Sequence, residues 1–390
     1  MRILHIGKYY PPFAGGIENF MAALLPVQAA SGDEVAVLVH QHRRGRPFGV
    51  EQMKQVRVYR VPIWGRLLFV PLSPWYARHL ARVIGQFKPD ILHIHMPNVS
   101  PFWVLFLKCC RDLPVVIHWH ADVVASELHR GLALGYRFYR PFEQALLARS
   151  QAIIVTSPAY MKSSVALQSW QDKCHVVPLG LMPQASPDPV KLGLRAIKYW
   201  GNNTSSLRVL GVGRLSYYKG HEFLVRAVAG LADVQAIIVG SGDQYPRLQK
   251  LIEDVGAGEQ FALYGAAPEA ELQDLLQSCD CLCLPSIERT EAFGLVLLEA
   301  MRLGKAVIAS DVPGAGMGWV VDHELNGLLV PPANVMALQN ALLRLRDDPD
   351  LGIRLGQAGR QKFGQMFAID RVADSIHRLY VDLPAGPASE

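Results

Sequence analysis

Six cysteines in 390 residues are too few for a disulfide scaffold. None of them forms a C-x-x-C pair, so neither a zinc ribbon nor a thiol redox motif is indicated. Such usage suits a reducing, cytoplasmic protein. Apolar runs such as Phe102 to Leu107 fall far short of the ~20 residues that span a bilayer. The apolar stretch before Pro11-Pro12 is too short and too interrupted for a signal peptide. The dinucleotide fingerprint G-x-G-x-x-G is absent. Asp-x-Asp occurs once, as Asp348-Pro-Asp350 near the C-terminus, where it reads as a helix cap. Charged residues make up only 19% against 50% hydrophobic, which excludes a disordered or acidic solvating chain, and 33 Gly with 26 Pro exclude collagen-like repeats.

What is present is an alternation of short apolar runs with helical patterns. Arg2–Gly7, Glu34–His40, Ile91–His95, Val115–His118 and Ala152–Thr156 read as buried strands, with Ile17–Ala30 as the first crossover helix. Leu207–Gly213, Ala236–Gly240, Gln260–Tyr264, Cys281–Pro285, Ala306–Ser310 and Gly327–Val330 read as a second set. Helices over His221–Leu231, Tyr245–Val255, Glu269–Leu276 and Leu295–Leu303 separate them. This is the pattern of doubly wound parallel sheets, an α/β class. Pro183, Pro187, Pro189 and Gly201-Asn202-Asn203 interrupt it. The expected division is an N-terminal domain over 1–182, a linker over 183–206 and a C-terminal domain over 207–368. A last helix, Ile369–Val381, with a frayed tail from Leu383 then follows in 369–390.

The net charge of +5 conceals an asymmetry. Residues 1–180 carry 20 Lys and Arg against 10 Asp and Glu, while the remainder carries 19 against 24. Apart from chance, a basic half suits phosphate, nucleic acid or an anionic membrane. Nucleic acid lacks any supporting module, with no zinc finger, RNP-type strand or helix-turn-helix pattern. His42-Arg-Arg-Gly-Arg46 and the stretch Val58–Phe87, with Arg60, Trp64, Arg66, Leu67, Leu68, Phe69, Trp75, Arg78 and Arg82, suit a membrane interface or an ordinary basic helix face.

Four segments carry chemistry. In the first, a strand ends at Pro285, a polar loop presents Glu291, and Phe293-Gly294-Leu295 opens a helix whose N-terminus favours phosphate. Glu299 lies inside that helix among apolar residues, where its carboxylate needs either sugar hydroxyls or a core arginine. In the second, Gly211-Val-Gly213-Arg214 and Lys219-Gly220 form a turn whose cations can clamp a diphosphate. Third, Gly15-Gly16 between the first strand and first helix lets backbone approach a ligand. Last come His93-Ile-His95 and His118-Trp-His120 with Asp122, at strand ends. They suit metal ligation, substrate contact or satisfied structural histidines.

Together and in this order, these segments resemble the retaining nucleotide-sugar glycosyltransferases of the GT-B fold, family four. The resemblance covers nearly the whole chain, and Glu291, seven residues, then Glu299-Ala-Met301 is its specific part. Glu288-Arg-Thr-Glu-Ala-Phe-Gly294, Ser310-Asp-Val-Pro-Gly-Ala-Gly316 and His118-Trp-His-Ala-Asp122 look like bacterial mannosyl- and rhamnosyltransferases of O-antigen or exopolysaccharide assembly. One departure is Val177-Pro-Leu-Gly180, where the family often has Asn before the Gly.

The resemblance implies two Rossmann-like domains facing a central cleft, with the last helix crossing back to the N-terminal domain. It assigns catalysis to His120, Arg214, Lys219 and Glu291. His120 lies next to the transferred sugar, Arg214 and Lys219 hold the diphosphate, and Glu291 contacts the sugar hydroxyls. Donor binding falls to Gly15, Gly16, Gly213, Gly265, Phe293, Gly294, Leu295 and Glu299, the last holding the ribose, with the base near Tyr264-Gly265-Ala266. The implied reaction moves a hexose, GDP-mannose-like, to a glycan or lipid-linked acceptor with retention, without metal or bound cofactor, in the cytoplasm or on the inner face of its membrane. A nucleotide-sugar epimerase and a non-catalytic sugar-nucleotide-binding subunit are the rivals on the same fold. Product analysis separates them.

Overall fold

A computed structural model of the chain describes residues 1–13, 15–67, 70–123, 130–185, 189–201 and 207–383. Leu68, Phe69, Pro187, Asn202, Asn203 and the tail from Pro384, all named above, lie outside the described residues. The chain divides into two compact units, Met1–Met182 with Ile369–Glu390, and Pro183–Ala368.

The first unit is built on eight hydrogen-bonded strands. These are β1 (Arg2–Ile6), β2 (Glu34–His40), β3 (Gly49–Met53), β4 (Val56–Val61), β7 (Ile91–Met96), β8 (Val115–Trp119), β9 (Ala152–Val155) and β10 (Cys174–Val176), with a separate hairpin of β5 (Gly65–Leu67) and β6 (Val70–Leu72). Their order is β10-β9-β8-β7-β1-β2-β4-β3, parallel except for edge strand β3. Helices α1 (Gly16–Ala30), α2 (Tyr76–Phe87), α3 (Arg130–Arg149) and α4 (Pro158–Ser163) supply crossovers. β1, β7 and β8 are buried on both faces, with apolar residues on one and the histidines His5, His93, His95 and His118 among those on the other. The stretch Val58–Phe87, weighed above as a single basic helix face, is not one helix. It runs from β4 through the β5–β6 hairpin into α2. Trp64 and Trp75 stand exposed on it, while Arg66 lies over the rings of Tyr9 and Phe13.

The second unit holds six parallel strands, β11 (Leu207–Val212), β12 (Val234–Val239), β13 (Phe261–Gly265), β14 (Cys281–Leu284), β15 (Ala306–Ser310) and β16 (Leu328–Val330). Their order is β13-β12-β11-β14-β15-β16. Numbered within the unit this is 3-2-1-4-5-6, the dinucleotide-fold order. Its helices are α5 (Pro189–Trp200), α6 (His221–Val228), α7 (Tyr245–Asp254), α8 (Glu269–Ser278), α9 (Leu295–Met301), α10 (Met317–Val320), α11 (Val335–Asp347) and α12 (Pro349–Lys362). Val209, Leu224, Val228, Ile238, Leu248, Ile308 and Leu342 form one core, joined by Cys281 and Cys283 as small buried apolar residues. Asp348 caps α12 by accepting from the Leu351 N–H at 2.9 Å, so the Asp-x-Asp triplet is structural.

One boundary differs from expectation. The stretch 183–206 is not an open linker, because α5 forms within it and packs on α8. Arg195 pairs with Asp274 at 2.5 Å, and the Trp200 indole donates to Ser278 at 3.1 Å. The last helix, α13 (Ile369–Val381), belongs to the first unit, where it lies along α1. Ile369, Val372, Ala373, Ile376 and Tyr380 are its buried stripe, spaced at three and four residues.

Candidate active site

In the second unit the strand order reverses direction between β11 and β14, so the turns leaving their carboxyl ends diverge and open a crevice. The turn Gly213–Gly220 follows β11, and the loop Pro285–Gly294 follows β14. Gly220, at φ +63°, seats one against the other, since a Cβ there would come within 2.1 Å of the Pro285 carbonyl oxygen. The Ile287 N–H donates to the Tyr218 carbonyl at 2.8 Å and ties the two segments.

This seating brings the Lys219 ammonium onto the Glu291 carboxylate. Both side chains are nearly buried, 12% and 13% exposed, so each charge depends on the other. Burial opposes the charge on Lys219, but Glu291 and then Tyr218 outweigh it and hold the ammonium above its ordinary value. Arg214, whose side chain is exposed, adds a second positive charge near Lys219. Glu299 sits on α9, and desolvation lifts its carboxyl to about 7, against the downward pull of Arg302 and Lys219. Arg302 thus answers the core-arginine alternative in part: it moderates the desolvation of Glu299 and does not cancel it.

Three glycines at neighbouring strand ends make a bare floor beside this pair. Gly213, Gly240 and Gly265 follow or end β11, β12 and β13 at φ +152°, +154° and +79°. The Gly213 N–H donates to the Val239 carbonyl at 3.0 Å, and the Gly240 N–H to Gly265 at 2.8 Å. Gly240-Ser-Gly242 does not complete a dinucleotide fingerprint. Its signal was positional, the first residue after a parallel strand adjacent to Gly213. Phe293 turns its ring edge-on to Trp319 and Phe367 in the core, so it offers a ligand only its backbone, and Gly294, at φ +82°, caps α9 ahead of Leu295.

In the first unit the order reverses between β1 and β7. Gly15 caps α1 with extended backbone, and the Glu18 carboxylate folds back over it, 2.3 Å from where a Cβ would stand, while Gly16 has open space. His120 follows β8, its N–H donating to the Met96 carbonyl at 3.1 Å. Asp122 is occupied otherwise, since its Oδ1 accepts from the Trp119 indole at 2.8 Å and the Ser164 hydroxyl at 2.7 Å.

His120 is one of five buried imidazoles on one sheet face, with His5, His93, His95 and His118. Register pairs His5 with His93 and His95 with His118. Two hydrogen-bonded rows result. In one, His5 Nδ1 meets His95 Nε2 at 3.0 Å and His95 Nδ1 meets His120 Nε2 at 2.9 Å. In the other, the Tyr380 hydroxyl meets His93 Nδ1, and His93 Nε2 meets His118 Nδ1 at 3.3 Å. The rows stack, with His118 and His120 rings 4.2 Å apart and 3° from parallel. Burial drives His5 and His120 down to about 3, so the rings are neutral near pH 7. Ligating nitrogens of two triads, His5, His93, His95 and His95, His118, His120, lie within 4.8 Å of one another, as a metal site requires. Lone pairs of near-parallel rings do not converge on one ion, however, and the facing nitrogens already bind each other. His5 escaped the sequence reading; its signal was a histidine on the first strand, in register with His93.

Comparison with known proteins gives these units a class. Residues 196–362 match the family model for glycosyl transferases group 1, and residues 15–180 that for a glycosyl transferase 4-like domain. The chain is 29% identical to the O-antigen chain mannosyltransferase C of Escherichia coli, covering 98% of this chain and 99% of that protein. It is 27% identical to the D-rhamnosyltransferase WbpZ of Pseudomonas aeruginosa, covering 94% and 92%. Among solved structures, a sucrose-phosphate synthase of Thermosynechococcus elongatus matches with a TM-score of 0.80 at 25% identity, over 98% of both chains. Two doubly wound units with these matches define a glycosyltransferase of the GT-B fold. The chain belongs to glycosyltransferase family four.

Proposed function

We propose that this enzyme transfers a hexose from a GDP-linked sugar, mannose or a deoxy relative, to a lipid-linked or oligosaccharide acceptor in O-antigen or lipopolysaccharide assembly. The observation that carries the reading is the Lys219–Glu291 pair at the strand-order reversal, with Arg214 and Glu299 around it. A donor diphosphate competes with Glu291 for Lys219. Once the phosphates take the ammonium and Arg214, the Glu291 carboxylate accepts from the sugar hydroxyls and Glu299 from the ribose. Charge growing on the departing phosphate is met by the same two cations, without metal. No side chain is assigned as covalent nucleophile. The acceptor hydroxyl attacks the face from which the phosphate leaves, the phosphate takes its proton, and configuration is retained. The sugar and pathway are supported by the relatives' names, an O-antigen mannosyltransferase, a D-rhamnosyltransferase and a lipopolysaccharide core glycosyltransferase.

An acceptor held on an anionic membrane fits the exposed Arg43, Arg44, Arg46, Trp64 and Trp75. No helix among the described residues is long and apolar enough to cross a membrane, so docking is peripheral in this reading. Sedimentation with anionic vesicles at low salt is expected to carry the protein down.

Thermal shift against GDP, UDP and dTDP tests the donor base, and GDP is expected to stabilise most. Incubation of GDP-mannose with lipid-linked acceptor and EDTA is expected to give an α-mannoside. Lys219→Ala and Arg214→Ala are each expected to lower kcat on the order of a hundredfold. An isomerised free sugar nucleotide, an inverted linkage or full activity in both variants would overturn the corresponding part.

A further inference from the structure

The loop that follows β2 is cationic without a matching anion. Arg43, Arg44 and Arg46 are exposed on it, and exposed Arg66 of the β5–β6 hairpin donates to the His42 carbonyl at 2.8 Å. Among the described residues of this unit, Arg2 and Arg57 meet Glu34 and Arg60 pairs with Glu51, and no carboxylate pairs with those four. Arg60 is spent further on the Tyr10 and Pro11 carbonyls, which ties the loop after β2 to the segment after β1. Like charges gathered in this way repel one another. His42 feels their field: burial first, then Arg43, Arg60, Arg46 and Arg66, hold its imidazole below the ordinary value.

Two cavities open among these groups, at the carboxyl edge of the first sheet. One, of about 550 Å³, is lined by Arg44, Arg46, Pro47, Pro62, Ile63 and Trp64. The other, of about 280 Å³, is lined by His42, Glu51, Arg60 and again Arg46, which therefore stands on both. The larger has a lining of two kinds, guanidinium and apolar, and its indole is 60% exposed. Arg66 is already fixed, its guanidinium 5.1 Å from the Tyr9 ring centroid and 5.7 Å from that of Phe13. Arg44 leans on the hairpin, its guanidinium 3.7 Å from where a Cβ on Gly65 would stand. Forks held before a ligand arrives lose less entropy on binding. A guanidinium offers paired N–H groups that match phosphate oxygens, and three of them suit the spread charge of a diphosphate. Pro47, Pro62, Ile63 and Trp64 suit hydrocarbon attached to it.

We propose that Arg44, Arg46 and Arg66 form a subsite for the diphosphate of a lipid-linked acceptor, with the first hydrocarbon units of the lipid against Ile63 and Trp64. The inference deepens the functional reading above and rests on it for the acceptor. A general attraction of basic residues to an anionic surface becomes a defined site for one headgroup, at which individual arginines are not interchangeable.

Titration calorimetry of the full chain with inorganic pyrophosphate reads the site without turnover. The wild type is expected to bind two, one in the crevice beside Lys219 and one here. Lys219→Ala removes the first and isolates the second; if that variant does not fold, excess GDP occupies the crevice instead. With the crevice so blocked, Arg46→Ala and Arg66→Ala should each weaken the remaining site about tenfold, the effect of one charge-assisted hydrogen bond. Arg43→Ala removes the same charge from outside both cavities and should weaken it no more than about twofold, as a screened surface charge does. Kinetics in vesicle-free buffer identify the source. The ratio of kcat/KM for a short-chain diphosphate-linked acceptor over the neutral glycoside of the same sugar is expected to fall about tenfold in Arg46→Ala and Arg66→Ala. A single pyrophosphate site in the wild type would overturn the proposal, as would equal losses in Arg43→Ala and Arg46→Ala. So would an acceptor preference that changes only when anionic vesicles are added, which would give these arginines to phospholipid headgroups. The expected pyrophosphate site in a protein without transfer would count against the functional reading alone.

Discussion

Glu299 carries a clear pH signature in the second unit. Its carboxyl is raised by desolvation to about 7, above its ordinary 4.5. A carboxyl with a raised folded-state pKa binds its proton more tightly in the native state. Its stability is therefore fully present below the unfolded value and lost as pH rises through 7. The loss is at most roughly 3–4 kcal/mol, since one unit is worth ~1.4 kcal/mol. Glu299→Gln is expected to flatten this part of the curve: comparing melting temperatures at pH 5 and pH 8, the wild type should lose more than the variant. Donor binding should run in the opposite sense, because sugar hydroxyls donate best to the ionised carboxylate. GDP affinity is expected to rise with pH through 7 in the wild type and stay level in Glu299→Gln, as titration calorimetry can measure.

At the scale of elements, bare strand ends do what side chains could not. A Cβ at Gly240 would lie 1.8 Å from the Gly213 carbonyl oxygen, a backbone atom that cannot rotate away. Gly240→Ala is expected to cost about 3 kcal/mol in chemical denaturation, at the upper end for overpacking, and to shift the Gly213 turn that carries Lys219. Gly265→Ala meets nothing within 4 Å and should cost only the strain of its positive φ, about 1 kcal/mol. Parallel strands such as Glu34–His40 and Ala306–Ser310 were legible because a strand buried on both faces is an uninterrupted apolar run. The two short edge elements were not: β3 is largely exposed and β5–β6 has three-residue arms, so neither leaves a hydrophobic period. α5 hid behind Pro183, Pro187 and Pro189, yet Pro189 sits at its first position, where proline is compatible with a helix. Glu291, Lys219 and Glu299 could be read from spacing. The histidine rows could not, because they depend on register between strands far apart in the chain.

For the whole molecule, the decisive feature is that α13 closes the first unit from the far end of the sequence. Its buried stripe of Ile369, Val372, Ala373, Ile376 and Tyr380 is worth roughly 5–10 kcal/mol, comparable to the stability of an entire domain. Polar ties add to it, the Tyr380 hydroxyl to His93 and His377 to Asp33 at 3.2 Å. A fragment of residues 183–368 is therefore expected to fold alone, with a cooperative melt. Residues 1–182 should not, unless a peptide of residues 369–383 is added. Circular dichroism of the fragments, separately and mixed, checks this. A cooperative melt from 1–182 alone would contradict the assignment of α13.

The Ile369 N–H donates to the Leu181 carbonyl at 2.9 Å, so the chain leaves the first unit and re-enters it at adjacent points. In topology the second unit is a cassette spliced into a loop of the first. The ribosome consequently releases a finished cassette while the earlier-made half still lacks its closing helix. The portion made earlier is the later to become native, and until α13 emerges its unclosed face is what a chaperone would encounter.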